Sequence, residues 1–326
     1  MSDVFKYIFV LIAGIIILVF FVSFAFKQTI LFESVTATEV RETLNDYFNA
    51  LSGADNLVTS AKINSNAIMN SPSCGNMQVS MKNGKSNVAD YSNIIFSPRA
   101  LNKDISIWTR KWFYPFGVAN FFYLKDKDTK IFLIGSSKIV NELAGVKKPD
   151  GNGYEATENI DSRFNVEKKT SVSADFIKEQ ARSYKNVIFV FFDQELMAAD
   201  LKNVDVSSIK SEKCEAEEDD ENCRGYVKFR DKEMFFAGKA MLYGAIFAAD
   251  SQNYECGFNA AVKRLGIVSN VYDKKRLMLS RLKPECGKYN FNMGIDASSL
   301  NAMHNGMKGL IESNNALAGG ECAKLF

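Results

Sequence analysis

The sequence predicts an α/β fold: an N-terminal transmembrane helix, a mixed-sheet α/β ectodomain, and a C-terminal antiparallel helical hairpin. Three observations predict it. An uncharged apolar run opens the chain. Between residues 77 and 250, short apolar strands alternate with helical stretches, the pattern of a layered α/β domain. From Tyr254 onward, apolar residues recur at steps of three and four, the period of a helix. The organisation read from this is residues 1–27 as a signal-anchor, 28–76 as a stalk helix and loop, 77–250 as the ectodomain core, and 251–326 as the hairpin packed on it.

Residues 7–26, "YIFVLIAGIIILVFFVSFAF", contain no charge. As a helix they span about 30 Å, the thickness of a bilayer's hydrocarbon core. The lipid bilayer is therefore the first expected partner. A cleaved signal peptide is the competing reading, because Ser23-Phe24-Ala25 offers a small-x-small site, but the run exceeds an ordinary signal core. A pilin-like filament subunit is a third reading. It wants a processing site before the helix and an early glutamate within it, and the first glutamate is Glu33. Flanking charge leaves orientation open, with Lys6 before the run and Lys27 and Arg41 after it.

Cysteine usage orients the chain. Cys74, Cys214, Cys223, Cys256, Cys286 and Cys322 all follow the apolar run. An even set on one side of a membrane fits an oxidising exterior, so the N-terminus is expected in the cytoplasm and residues 27–326 outside. The expected bridges are Cys214–Cys223, Cys256–Cys322 and Cys74–Cys286. The second rests on a straight helix over 254–283 that carries Cys256 and Cys286 some 45 Å apart, with a returning helix delivering Cys322 to Cys256.

The residues between set out the elements. Val40, Leu44, Tyr47, Phe48 and Leu51 mark a helix over Thr38–Leu51, and 52–76, rich in Ser, Asn and Gly, reads as loop. Met77–Met81 and Asn93–Phe96 read as strands. Ile105–Phe116 reads as an aromatic helix, because Ile105, Trp108 and Trp112 share a helical face. Lys130–Ile134 is a strand leading through Gly135-Ser136-Ser137 into a helix ending at Ala144. Lys147–Glu158 is loop. Ala174–Tyr184 is a helix and Asn186–Phe192, "NVIFVFF", is a strand covered on both faces. Tyr226–Phe229 and Met234–Gly238 form a hairpin, and Ala240–Phe247, "AMLYGAIF", reads as a further strand. Asp250 or Ser251 caps the helix from Tyr254 to Lys283, which Pro284 stops; Ser298–Ala316 is the second helix.

Charge narrows the function. Lys+Arg number 40 against 38 for Asp+Glu, so nucleic acid is not an expected partner. Asp193 and Glu195 follow an apolar strand, where open α/β sheets place ligands, and are the candidate catalytic pair; the plain reading is that they start and cap the next helix. Gly135-Ser136-Ser137-Lys138 resembles an anion-binding turn but lacks P-loop spacing. Ser207-Ser208-Ile209-Lys210 fits S-x-x-K without that class's companion motifs. His304 is the single histidine, which excludes any site needing two. Cys214 and Cys223 enclose eight residues, six of them acidic; Glu217, Glu218, Asp219 and Asp220 are the candidate metal ligands, calcium being the ion such oxygens suit. The plain reading is a stapled surface loop, and no other cofactor is expected. Trp108 and Trp112 read as core, with a recognition patch or a membrane-surface contact as the alternative.

Two blocks, "FSPRAL…WTRKWFYPFGVANFFYL" and "AMLYGAIFAADSQNYECGFNAAVKRL", resemble single-pass membrane proteins of small-genome archaea. The resemblance implies a surface location and carries no activity or catalytic residue. The functional expectation is a membrane-anchored, disulfide-stabilised surface protein acting by binding to a protein partner or by self-assembly. An extracytoplasmic α/β enzyme with a carboxylate site at a strand end is the alternative.

Overall fold

The computed structural model describes residues 14–19, 21, 22 and 38–326, except 64–66, 74, 75, 82–85, 91, 92, 103, 138, 141, 142, 144–163, 165, 195–203, 215–221, 289–293, 320 and 321. After helix α1 (residues 38–51), the chain enters β1 (Leu57–Lys62), β2 (Ala67–Ser73), β3 (Asn76–Met81), β4 (Ser86–Asp90), β5 (Ile94–Phe96) and β6 (Ala100–Leu101). The long pair β7 (Asp104–Phe113) and β8 (Gly117–Asp126) leads to β9 (Thr129–Ile134), a short helix α2 including residues 139, 140 and 143, β10 (Val166–Lys169), α3 (Ala174–Ser183), β11 (Asn186–Phe192) and β12 (Val204–Lys213). The hairpin β13 (Arg224–Lys228) and β14 (Glu233–Ala237) precedes α4 (Lys239–Phe247), α5 (Ser251–Leu282) and α6 (Leu300–Gly319).

Among the described residues the strands form three sheets, ordered β1-β7-β8-β5, β10-β9-β11-β12-β13-β14 and β4-β3-β2-β6. The first and second are mixed: β5 pairs parallel with β8, and β10, β9, β11 and β12 are mutually parallel. Strand alternation gives each mixed sheet two apolar faces. In the first, Ile105, Ile107, Phe122 and Leu124 pack with Val40, Leu44 and Phe48 of α1. Trp108, Trp112, Phe121 and Tyr123 point the other way, into the main core. In the six-stranded sheet, Ile131, Leu133, Ile188, Val190 and Ile209 join that same core. Phe132, Val187, Phe189 and Phe191 point outward and pack with Ile177 and Phe176 of α3.

Helix α4 fills the space between the two mixed sheets, and all nine of its residues are buried. The Trp108 ring lies 5.0 Å from Tyr243 and 6.1 Å from Phe247. Tyr123 Oη donates to the carbonyl of Ala240 at 2.6 Å, and Trp112 Nε1 to that of Ala237 at 2.8 Å. The polar ends of these buried rings therefore have partners, as burial requires. Helix α5 closes the open side of the sandwich along β5, β8 and β14. Phe96 is the wedge between α4 and α5: a Cβ at Gly244 would stand 2.7 Å from its ring, and one at Gly257 would also strike it.

Several expectations change. Ile105–Phe116 is strand as far as Phe113 and then a bend, not helix: Ile105 and Ile107 fall on one face and Trp108 and Trp112 on the other, a period-two pattern that the three-and-four spacing of a few large residues hid. Ala240–Phe247 is helix, not strand. An apolar run carries no periodicity when every side is buried, so the pattern cannot distinguish the two. Residues 52–76 carry β1 and β2 rather than loop alone. The covered strand Asn186–Phe192, helix α3, the β13–β14 hairpin and the Asp250-capped α5 lie where the sequence placed them, while the Lys147–Glu158 loop falls outside the described residues.

The C-terminal pair is not an antiparallel hairpin, and the bridges change with it. Cys286 pairs with Cys322, Cα atoms 5.9 Å apart, which overturns both Cys256–Cys322 and Cys74–Cys286. This bond ties the end of α5 to the end of α6. Asn314 of α6 bonds Phe326 and Leu325, and the Phe326 ring packs against Tyr272 of α5 at 5.5 Å. Earlier in the chain, Ile295 lies against Gly306 and shares a cleft with Leu265. The helices thus run in the same sense. The antiparallel expectation assumed a tight turn after Pro284, but the residues between Lys288 and Leu300 are numerous enough to carry the chain back along α5 before α6 begins. Cys214–Cys223 is formed as expected. Cys256 is also disulfide-bonded; the remaining cysteine, Cys74, follows β2 but lies outside the described residues.

Two outcomes follow. Peptide mapping without reduction is expected to recover Cys214–Cys223, Cys286–Cys322 and, by elimination, Cys74–Cys256; a Cys256–Cys322 fragment would contradict the placement of α6. Gly244→Ala is expected to lower unfolding free energy by about 1–3 kcal/mol, because overpacking against Phe96 outweighs the helix-propensity gain of about 1 kcal/mol. Denaturant titration checks the sign, and a stabilised variant would show that Phe96 can move aside.

Candidate functional site

Two polar clefts flank the six-stranded sheet. The first opens at the C-terminal end of β11, where the sequence pointed. Asp193 follows Phe192 in the left-handed region at φ 54, and its N–H donates to the Ile209 carbonyl at 2.9 Å. Ser208 Oγ donates to the Gln194 carbonyl at 2.6 Å. With Lys210, Tyr226, Lys228 and Glu233 these residues line a depression of about 500 Å³. Its floor is the outer face of β12–β14 beyond Val206, which belongs to the cluster around α3: Ser208 pairs with Lys228, and Lys210 with Tyr226. Asp193 is exposed there, and Glu195 lies outside the described residues. The arrangement offers two cations and two carboxylates on an open surface.

The second cleft was not legible in the sequence. It holds about 270 Å³ where the start of β12 meets the start of α5. Arg99, in the β5–β6 loop, places Nη2 3.2 Å from Asp205 Oδ1 and Nε 3.6 Å from Asp250 Oδ2. Asp250 also caps α5, Oδ1 accepting from the Asn253 N–H at 2.9 Å. Ser251 Oγ donates to Asp231 Oδ2 at 2.6 Å, and Arg230 Nη2 to the Val204 carbonyl at 2.8 Å. Asp205 is buried, and its carboxyl is pushed up to about 6, chiefly by desolvation, against the pull of Arg99 and with a further push from Asp250. One guanidinium thus links the β5–β6 loop, the central sheet and the longest helix.

The remaining motifs resolve individually. Ser207 and Lys210 point to opposite faces of β12, since residues three apart on a strand do not share a side; an S-x-x-K pair needs a helix. Gly135 and Ser137 lead into α2, with the Val140 N–H bonded to the Ser137 carbonyl at 3.1 Å, an ordinary first turn; Lys138 is outside the described residues. His304, on α6, has Nε2 2.7 Å from Arg224 Nη1, and Arg224 also reaches Glu212 at 3.5 Å. Arginine only donates, so this ring nitrogen accepts and the imidazole ties α6 to β13. Trp108 and Trp112 are core. Glu217, Glu218, Asp219 and Asp220 lie outside the described residues, and among those described no group of three or more ligating side chains is placed to hold a metal. Lys125, fully buried where β8 turns into β9, donates to the Asp126 carbonyl at 3.0 Å; burial draws it down to about 8, and it lines neither cleft.

Asp205 gives a pH test. Its folded value lies above the ordinary carboxylate range, so the folded state holds this proton more tightly, and its contribution to stability falls as pH rises through about 4 to 6. Asp205→Asn is therefore expected to gain on the wild type between pH 4 and pH 7, by on the order of 2 kcal/mol. Denaturant midpoints at both pH values check this; a pH-independent difference would contradict it. No family model, no curated protein and no solved structure matches the chain.

Proposed function

We propose that the chain is a membrane-anchored, disulfide-stabilised surface protein whose ectodomain works by binding or assembly. The carrying observation is the state of the cysteines: every described one, downstream of the apolar run, is in a disulfide. Such bonds persist in oxidising compartments. The Cys286–Cys322 bridge stabilises by roughly 4 kcal/mol on the chain-entropy model, and Cys214–Cys223 by roughly 2–3 kcal/mol. The N-terminal residues add support. Ile15, Ile16, Ile17, Leu18, Val19, Phe21 and Val22 are helical and exposed. A helix apolar on every side needs an apolar surrounding, and a bilayer supplies one. Among the described residues no helix is long and apolar enough to cross a membrane, and most of residues 7–26 lie outside them.

An enzyme using Asp193 is the second reading, motivated by its left-handed backbone at a strand end beside the larger polar cleft. The open, shared-charge surface of that cleft suits recognition of a polar partner more than chemistry that needs water excluded.

Protease added to intact cells, followed by mass spectrometry, tests the topology. Peptides from the exposed 52–56 and 230–233 turns are expected to be released, with the N-terminal twenty-odd residues retained in the membrane. Protection of residues 27–326 until the cells are lysed would sink the reading.

A further inference from the structure

Helix α5 carries two apolar stripes. The inward one, Tyr254, Phe258, Ala261 and Leu265, is buried against the sheets, and Tyr272 and Leu279 continue it. The outward one is Ile267, Val271, Met278 and Leu282, exposed by 50%, 61%, 64% and 82%. At 100° per residue these four fall within an arc of about 60°, on a flank of the helix about 110° round from the buried stripe. Side chains of this size rarely line up in solvent along four turns without a partner.

The charges around the stripe are of one sign. From Cys256 to Pro284 the chain has seven basic residues and a single acid, Asp273, which is bonded to Arg276 at 2.9 Å. Lys275 turns back to the Leu325 carbonyl and over the Tyr272 ring. Lys263, Arg264, Lys274 and Arg281 border the outward stripe, and among the described residues they make no ion pair. A second copy on this face would set these cations against their own duplicates, since a two-fold interface repeats its charges. A surface that is apolar a few ångströms down and negative at its rim matches both features, and an anionic bilayer has that profile.

We infer that the outward face of α5 docks on the surface of an anionic lipid bilayer, its apolar stripe entering the headgroup boundary and its four cations meeting lipid phosphates. The inference rests on the anchored reading for its second support. Fifteen residues separate Val22 from Thr38. Extended, they reach about 50 Å, enough to let the ectodomain lie on the membrane that holds it. One acyl-scale contact binds weakly, and a tether raises its effective concentration.

The test uses the full chain with a polarity-sensitive fluorophore on Val271→Cys, reconstituted by its N-terminus into phosphatidylcholine vesicles with or without phosphatidylglycerol at three parts in ten. Blue-shifted emission with phosphatidylglycerol only, reversed by high salt and absent in the Lys263→Glu, Arg264→Glu, Lys274→Glu, Arg281→Glu combination at unchanged melting temperature, is the expected result. Salt reversal stands alone if the combination fails to fold. Identical emission on both vesicles would overturn the proposal. So would a shift on neutral vesicles that grows with protein density, which means a second copy, or one produced only by added polyglutamate, which means an acidic polypeptide. Flotation with neutral vesicles reports the anchor separately: loss of flotation overturns the anchored reading, while the emission response to phosphatidylglycerol still decides the face.

Discussion

A nine-residue helix with no exposed side is the constraint on which this architecture rests. Helix α4 lies between two mixed sheets, so each sheet must present it an apolar face, and each then has a second face to cover. Helix α1 covers one outer face and α3 the other, giving five layers from a chain long enough for two ordinary domains. The helix ends need partners because no water reaches them. Gly238, at φ 90, turns the chain from β14 into α4 and donates to the Cys223 carbonyl at 2.7 Å, which joins the helix start to the Cys214–Cys223 staple. The Ala248 N–H closes the other end on the Gly244 carbonyl at 2.9 Å. The staple read from the sequence as a surface loop is thus rooted in the core, with Cys223 fully buried.

What was legible follows from how each element is covered. Elements with one wet face, such as α1, α3 and α5, announce themselves by period, and their bounds fall close to those read from residue spacing. Asn186–Phe192 was legible because a strand buried on both sides is an apolar run of ordinary strand length. The same rule failed at Ala240–Phe247, where a helix buried on all sides writes the same pattern. Trp108 and Trp112 misled because two large residues four apart outweighed the alternation of the smaller ones between them. The C-terminal pairing failed for a different reason: bridge geometry depended on where α6 starts, and spacing says nothing of that.

The candidate site residues divide similarly. Asp193 was legible because strand ends in α/β sheets gather ligands, and it does line the larger cleft. The Arg99–Asp205–Asp250 cluster was not, since its members are 106 and 45 residues apart in sequence and only the sheet and α5 bring them together. The basic border of the outward α5 stripe was hidden by a near-neutral total charge: Lys263, Arg264, Lys274 and Arg281 look dispersed until the helix is drawn. The second cleft and the stripe both involve α5, and Phe96 fills the glycine notches at which α4 and α5 approach it.

Native-state hydrogen exchange tests the central claim most directly. If α4 is the keystone, the amides of Met241–Phe247 exchange only through global unfolding, with the same free energy as the middle of β8 and β11. Exchange of α4 at a markedly lower free energy, with both sheets still protected, would show that the sandwich stands without it and contradict the account.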